Sequence, residues 1–180
     1  MGKQFTGIEP EHRAFIERQK IFFVASAPPK GRINVSPKGL SSFRVLGDND
    51  VAYLDCTGSG SETRAHLIAS DDRRLTIMFC AFEGDPVILR LYGQAQSLMR
   101  GTPEYADLIS KFEEVPGARQ IVRLAVDLVQ TSCGMGVPLF DYKQERGSLV
   151  RYWTTHGIDN LRKYWGLKNM KSIDGLPTDF

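Results

Sequence analysis

The sequence predicts a mainly β fold, an antiparallel sheet or barrel with a few helices, and three observations indicate it. Short apolar or alternating runs recur along the chain as far as residue 129. Turn-forming residues separate these runs, most clearly at 28–31 and 83–85, which is typical of strands joined in hairpins. No glycine-rich dinucleotide fingerprint follows the first strand, so a doubly wound parallel sheet is not favoured.

Six segments are predicted as strands. Segment 21–25 is a continuous apolar run, as in a buried strand, whereas segment 32–36 alternates polar and apolar residues, as in a strand with one solvated face. Leu124, Val126 and Leu128 alternate with polar or charged neighbours in the last segment. The predicted strands are residues 21–25, 32–36, 51–55, 75–82, 86–98 and 121–129.

Helix signals interrupt the strands. Pro10 suits the first turn of a helix, and His12 on that helix is expected to be solvated. Thr102 is a plausible N-cap, and Ser59 with Glu62 three residues later has the spacing of a capping box. The predicted helices are residues 10–19, 62–70, 103–113 and a stretch within 159–168.

The length and composition indicate the number of domains and the kinds of partner that can be expected. The 180 residues are 42% hydrophobic and 24% charged, with a formal net charge of +2. We expect one domain, residues 1–180, with a C-terminal helical extension at about 141–180. The basic residues form no stripe, so no nucleic-acid partner is expected. No apolar run reaches membrane-spanning length and no secretory signal begins the chain, so no membrane partner is expected either.

Cysteine and histidine usage predicts a reducing cytoplasm and no metal site. Cys56, Cys80 and Cys133 are widely separated and match neither a disulfide framework nor metal-ligand spacing. The three histidines are scattered along the chain, which is not the pattern of a zinc site.

The first candidate site is segment 32–39. Asn34 and Ser36 lie on the same face of a predicted strand, and Lys38 adds a cation at its end. Such a set can bind a phosphate or the polar edge of a planar ring. The alternative is an ordinary turn with a solvated lysine.

The second candidate is segment 57–66, where a small-residue loop leads into a helix. Helix N-termini offer unpaired N–H groups and a partial positive charge. Ser61, Thr63 and Arg64 add hydroxyl donors and a guanidinium, which together predict an anion site. The alternative is a well-capped helix, in which His66 simply pairs with Glu62 one turn earlier.

The third candidate is segment 130–138, which contains Cys133. No base is linked to Cys133 by a local signature, so a nucleophilic role is not favoured. A tight loop around a small buried thiol is the preferred interpretation.

Several of these segments resemble proteins related to pyridoxamine 5′-phosphate oxidase. The likeness spans roughly residues 11–138, and the tail 169–178 is similar to a subgroup of uncharacterised members. Besides the segment Asn34-Val35-Ser36-Pro37-Lys38-Gly39, the resembling stretches are residues 22–25, 51–55, 58–63, 75–82 and 88–93.

The resemblance implies a six-stranded split barrel, a homodimer, and FMN bound across the dimer interface. It also implies that Lys38 holds the phosphate. Where the oxidase pattern has an arginine–lysine pair at the helix start, this chain has Glu62 and Thr63, with Arg64 displaced by one position. The residues that the resemblance places at the cofactor are Asn34, Val35, Ser36, Lys38, Asp55, Ser61, Thr63, Arg64, His66, Arg90, Ser132 and Cys133.

The function implied is that of an FMN-dependent oxidoreductase of unknown substrate, since the C-terminal arginine motif of the true oxidase finds no convincing match. No catalytic side chain is assigned, because the flavin carries the redox chemistry in such proteins. Two alternatives remain: a flavin-binding protein without turnover, and a relative that binds deazaflavin or haem on the same barrel.

Overall fold

The structure, a computed structural model, describes residues 2–113 and 115–180. Eight strands and four helices lie in these ranges. The strands are β1 (Lys3–Phe5), β2 (Phe22–Ser26), β3 (Asn34–Lys38), β4 (Phe43–Gly47), β5 (Asp50–Cys56), β6 (Arg74–Cys80), β7 (Val87–Met99) and β8 (Ala118–Cys133). The helices are α1 (Pro10–Arg18), α2 (Glu62–Ala69), α3 (Pro103–Ile109) and α4 (Ser148–Lys168).

All strands belong to one antiparallel sheet in the order β3-β2-β6-β7-β8-β5-β4, and β1 adds to β8. Within the described residues no ladder joins β3 to β4, so the sheet is not closed by hydrogen bonds. It is nevertheless rolled up. The ring of Phe43 on β4 lies 5.1 Å from that of Phe22 on β2 and 5.0 Å from that of Phe79 on β6.

The predicted fold class is confirmed, but the predicted number of six strands is wrong. The two additional strands are β1 and β4. β1 has three residues, two of them exposed, and every residue of β4 is half-buried. Neither strand therefore shows the alternation on which strand prediction depends.

Two apolar clusters occupy opposite faces of β5. Val51 and Tyr53 point into the barrel with residues of β2, β6, β7 and β8. Ala52 and Leu54 face a second cluster that includes Tyr105 of α3. Because both faces of β5 are covered, the strand is rigidly held up to Asp55, which the functional site uses.

Three helix predictions need correction. α2 has Ser61 as its N-cap, with no side-chain capping bond, so the expected box of Ser59 and Glu62 is wrong. His12 is only 4% exposed, so its predicted solvation is wrong: its ring packs 4.5 Å from that of Phe5, and its Nδ1 accepts the backbone N–H of Glu9. α4 begins at Ser148 and continues across a kink at Gly157, where φ is 73°, so only its second half was expected.

The starts of α1 and α3 agree with the predictions from the sequence. Pro10 is at the start of α1, and the Oγ1 of Thr102 accepts the N–H of Tyr105 at 3.3 Å. Among the described residues, no helix is both long and apolar enough to cross a bilayer.

Candidate functional site

A cavity of about 780 Å³ opens where β3, the end of β5 and the start of α2 meet. Its lining joins the first two candidate segments of the sequence, which are brought together although the strands β4 and β5 separate them along the chain. The walls are completed by Arg119 from β8 and by residues 171–173 near the C-terminus.

A buried carboxylate organises the floor of the cavity. Asp55 is 1% exposed, and its Oδ1 accepts the Nζ of Lys38 at 2.8 Å. Its Oδ2 accepts the Nε of Arg119 and the Nε2 of Gln120, each at 2.8 Å. Lys38 is on β3, whereas Arg119 and Gln120 are adjacent residues of β8. Asp55 therefore fixes the positions of two cations that come from different strands.

The protonation state of Asp55 follows from these contacts. Burial alone raises the pKa of a carboxyl, but the charges of Lys38 and Arg119 and the hydrogen bonds from Lys38 and Gln120 outweigh it. The pKa of Asp55 is therefore held well below its usual range. The carboxylate stays ionised beside two cations.

Six of the residues expected at the cofactor line this cavity. On β3, the Oγ–H of Ser36 donates to the Oδ1 of Asn34 at 3.1 Å, and the buried Nδ2 of Asn34 has no protein partner. A donor of this kind is free for a ligand. The six are Asn34, Val35, Ser36, Lys38, Asp55 and Thr63.

Ser61 and His66 lie behind the cavity rather than in its wall. Ser61 is 2% exposed and its Oγ finds no protein partner. The Nδ1 of His66 is 2.9 Å from the Oγ of Ser26, while its Nε2 is 4.0 Å from Glu62, too far for a hydrogen bond. Burial lowers the pKa of His66, against the opposing charge of Glu62.

Arg64 is turned away from the cavity. Its Nε donates to the carbonyl of Thr178, its Nη1 donates to the Oγ of Ser97 at 2.7 Å, and its Nη2 donates to the carbonyl of Asp179 at 3.3 Å. Its guanidinium also lies 5.3 Å from the ring of Phe180. The donors expected for a phosphate are thus committed to Ser97 and to the carbonyls of Thr178 and Asp179.

Arg90, Ser132 and Cys133 form a separate group on β7 and β8. The Nη1 of Arg90 donates to the Oγ of Ser132 at 3.1 Å. Cys133 is exposed, so the expectation of a buried thiol in a tight loop is wrong: β8 extends to Cys133 itself. By contrast, burial, with the nearby charge of Asp55, raises the pKa of Cys56 to about 11.

Sequence reasoning missed Arg119, Gln120 and the C-terminal wall. The predicted last strand began at residue 121, whereas β8 begins at Ala118 and so includes both polar residues. The C-terminal segment was noted only for its resemblance to relatives. Nothing in a local pattern shows that the carboxylate of Glu62 accepts the N–H of Ile173, 111 positions away.

The donor set fits an anionic ligand. Four cationic side chains line the cavity, Arg32, Lys38, Arg119 and Lys171, against the carboxylates of Asp55 and Glu62. The unpartnered Nδ2 of Asn34, a lining residue, adds hydrogen-bonding capacity that the protein itself does not use.

Replacing Asp55 by asparagine is expected to lower the free energy of unfolding at pH 7 by about 3–5 kcal/mol, because it leaves the 4% exposed Arg119 without its buried counter-charge. Asp50→Asn is the matched control, since its pair with Arg123 is partly exposed, and the change there should be at most about 1 kcal/mol. Urea unfolding of the three proteins measures both.

The pH dependence of the free energy of unfolding tests whether the charge of Asp55 causes this stabilisation. The folded pKa of Asp55 is depressed, so its stabilisation is complete above the unfolded pKa of about 3.9 and declines as the pH falls below that value. The gap between wild type and Asp55→Asn should be constant above about pH 5 and narrow progressively as the pH falls from about 4 towards about 2. A gap that is constant with pH would show that the charge of Asp55 is not what these contacts stabilise.

Comparison with known proteins places the chain in a family. Residues 8–133 match the pyridoxamine 5′-phosphate oxidase family. The pyridoxamine 5′-phosphate oxidase family protein ustO of Aspergillus flavus is 41% identical over an alignment of 180 residues, covering 89% of this chain and 71% of the relative.

Two solved structures share the fold. HupZ of Group A Streptococcus superposes with a TM-score of 0.52 at 22% identity, covering 67% of this chain and 91% of HupZ. A Clostridium acetobutylicum protein related to general stress protein 26, of the pyridoxinephosphate oxidase family, gives 0.52 at 13% identity, covering 68% and 86%. Residues 8–133, which match the family, contain strands β2 to β8 and most of the residues that line the cavity. The chain belongs to the pyridoxamine 5′-phosphate oxidase family.

Proposed function

We propose that this protein binds FMN in the cavity beside Asp55 and acts as an FMN-dependent oxidoreductase. The observation that carries the proposal is the excess of cationic over anionic side chains in a cavity that also contains unused donors. Its volume is in the range of pockets that enclose small ligands. The family membership supports a flavin as the ligand.

The residues of this chain have distinct tasks in the proposal. Lys38, positioned by Asp55, places a positive charge at the end of β3 for the phosphate. The hydroxyl of Thr63 and the amides at the start of α2 add donors at the same wall. Asn34 presents its free amide to the polar edge of the ring. The flavin supplies the redox chemistry, and the protein orients it and limits its contact with water.

A second cavity, of about 800 Å³, adjoins the first through Pro37 and Lys38. Its lining includes the aromatic side chains of Phe23, Phe82, Phe140 and Tyr142, and the rings of Phe82 and Phe140 stack 5.3 Å apart. We infer that a planar substrate reaches the flavin from this side.

The cavity lining favours a flavin over haem. Haem iron is held by histidine, cysteine, methionine or tyrosine side chains. In the part of the chain that the structure describes, none of these residue types lines the cavity beside Asp55.

The purified protein should be yellow, with the absorption spectrum of an oxidised flavin, and mass spectrometry of the released ligand should identify FMN. Bleaching by NADH or NADPH under anaerobic conditions would establish electron transfer. A flavin spectrum that neither reagent nor any tested donor bleaches would support a binding protein without turnover. A Soret band or a deazaflavin mass would overturn the proposal.

Lys38→Ala should weaken FMN binding by about 1.5–3 kcal/mol, the usual contribution of a hydrogen bond to a charged group. Riboflavin, which lacks the phosphate, should lose less, and this internal reference separates phosphate contact from general damage to the Asp55 pair. Lys30→Ala is the control, because Lys30 is exposed and lies outside the cavity lining. Flavin fluorescence titration measures all three proteins. Equal losses for both ligands would place Lys38 away from the phosphate.

We also propose a homodimer. Met135, Leu139 and Phe140, in the segment after β8, are 82%, 72% and 58% exposed, and an apolar surface of this kind is typical of an interface. Ser132 and Cys133 directly precede it, so pairing would bring them, with Arg90, towards a second copy.

Light scattering should give about twice the mass of the chain, and Leu139→Glu should shift the protein towards monomer because it buries a charge at the interface. Lys163→Glu, on an exposed part of α4, is the control. A clean monomer that still binds FMN tightly would contradict a cofactor site shared between two copies.

A further inference from the structure

The start of α2 does not present the positive charge that a phosphate there requires. Glu62 and Thr63 occupy the first two helical positions, and Glu62 lines the cavity with a negative charge. Arg64, the next residue, gives its donors to Ser97 and to the carbonyls of Thr178 and Asp179. The cation for this end of the cavity must therefore come from another element.

Residues 169–180, here called the C-terminal tail, form a compact hairpin beside that helix. Lys171 and Pro177 form a β-bridge, the N–H of Ser172 donates to the carbonyl of Leu176 at 2.8 Å, and the N–H of Thr178 donates to the carbonyl of Met170 at 3.2 Å. The tail therefore holds Lys171 at a defined position, and a pre-ordered residue loses less entropy when it binds a ligand.

Three contacts attach the tail around the cavity. The carboxylate of Glu62 accepts the N–H of Ile173 at 3.1 Å and 3.2 Å, so this acid has a partner in the tail. Asp174 pairs with Arg32 on the opposite wall, and its carboxylate accepts the N–H of Arg32 at 2.7 Å. Arg64 holds the far end of the tail. Glu62 and Arg64 do not fit the role of phosphate ligands, but both hold the C-terminal tail in place.

Lys171 differs from the other three cationic residues of the cavity because each of those forms an ion pair with a carboxylate. Arg32 is paired with Asp174, while Lys38 and Arg119 share Asp55. Within residues 2–113 and 115–180, no carboxylate lies within ion-pairing distance of Lys171, which lines the cavity next to Ser172. Its charge is uncompensated, and it lines the same cavity as Glu62 and Thr63 at the start of α2.

We propose that Lys171, delivered by the C-terminal tail, is a phosphate ligand of the flavin site and replaces the basic pair that the helix start lacks. This inference rests on the proposed function, because it assumes that a phosphate monoester enters the cavity. The recognition is electrostatic: an ammonium group that forms no ion pair among the described residues meets a dianion.

The test compares FMN with riboflavin on the full-length protein. Lys171→Ala should raise the dissociation constant of FMN about tenfold, as for loss of one charged hydrogen bond, and leave that of riboflavin unchanged. Lys171→Arg should recover most of the loss because it keeps the charge. Lys168→Ala is the matched control: Lys168 is exposed, three positions away, at the end of α4 and outside the cavity lining.

The results distinguish failure of the proposed role of Lys171 from failure of the proposed function. Wild type that binds FMN, with Lys171→Ala binding it equally well, overturns the role of Lys171 and leaves the proposed function standing. Wild type that binds neither flavin overturns both. If Arg64→Gln abolishes the preference for FMN over riboflavin while Lys171→Ala does not, the arginine holds the phosphate and the inference is wrong.

Discussion

The carboxylate of Asp55 is the constraint on which the site depends. Lys38 and Arg119 would repel each other if they shared a small cavity without a counter-charge, and burying either alone would be costly. Asp55 accepts a hydrogen bond from each, at the end of a strand buried on both faces. Arg119 also donates to Asn169, at 2.9 Å, so the same ionic group connects the barrel to the chain's last helix and the tail beyond it.

This arrangement leaves a net positive charge beside Asp55, although Lys38 and Arg119 each form an ion pair with it. One carboxylate between two cations neutralises half of their charge, and the remainder is available to a ligand. The fold by itself does not require such chemistry, because related barrels can serve different ligands. In this chain the chemistry comes from the polar side chains at one end of the sheet and from the tail beside them.

Much of the fold was predictable because apolar periodicity and turn residues determine it locally. The strands around Val24, Leu91 and Leu124 are recognisable from their sequence alone, as is the N-cap at Thr102. β4 was missed because all of its residues are half-buried, so neither face gives a signal. The first half of α4 was missed because few of its residues are buried, so an apolar stripe of helical period is weak.

The site was predictable in pieces but not as a whole. The segments around Lys38 and Thr63 each show a polar cluster at the end of an element, and each was identified separately. Their convergence on one cavity depends on the sheet order. The role of the tail depends on contacts between residues as far apart as Arg32 and Asp174, which are 142 positions apart and which no window of local sequence can reveal.

The tail hairpin contacts the barrel through hydrogen bonds with Arg32, Glu62 and Arg64, whereas the strands beneath it are paired in ladders and bury large apolar side chains. Regions with few apolar contacts open at a lower free energy than the core does. Detachment of residues 169–180 would uncover the cavity while the ladders of β2 with β6 and of β5 with β8 stay intact. The residence time of a bound molecule would then be governed by this local opening, and not by the global stability of the barrel.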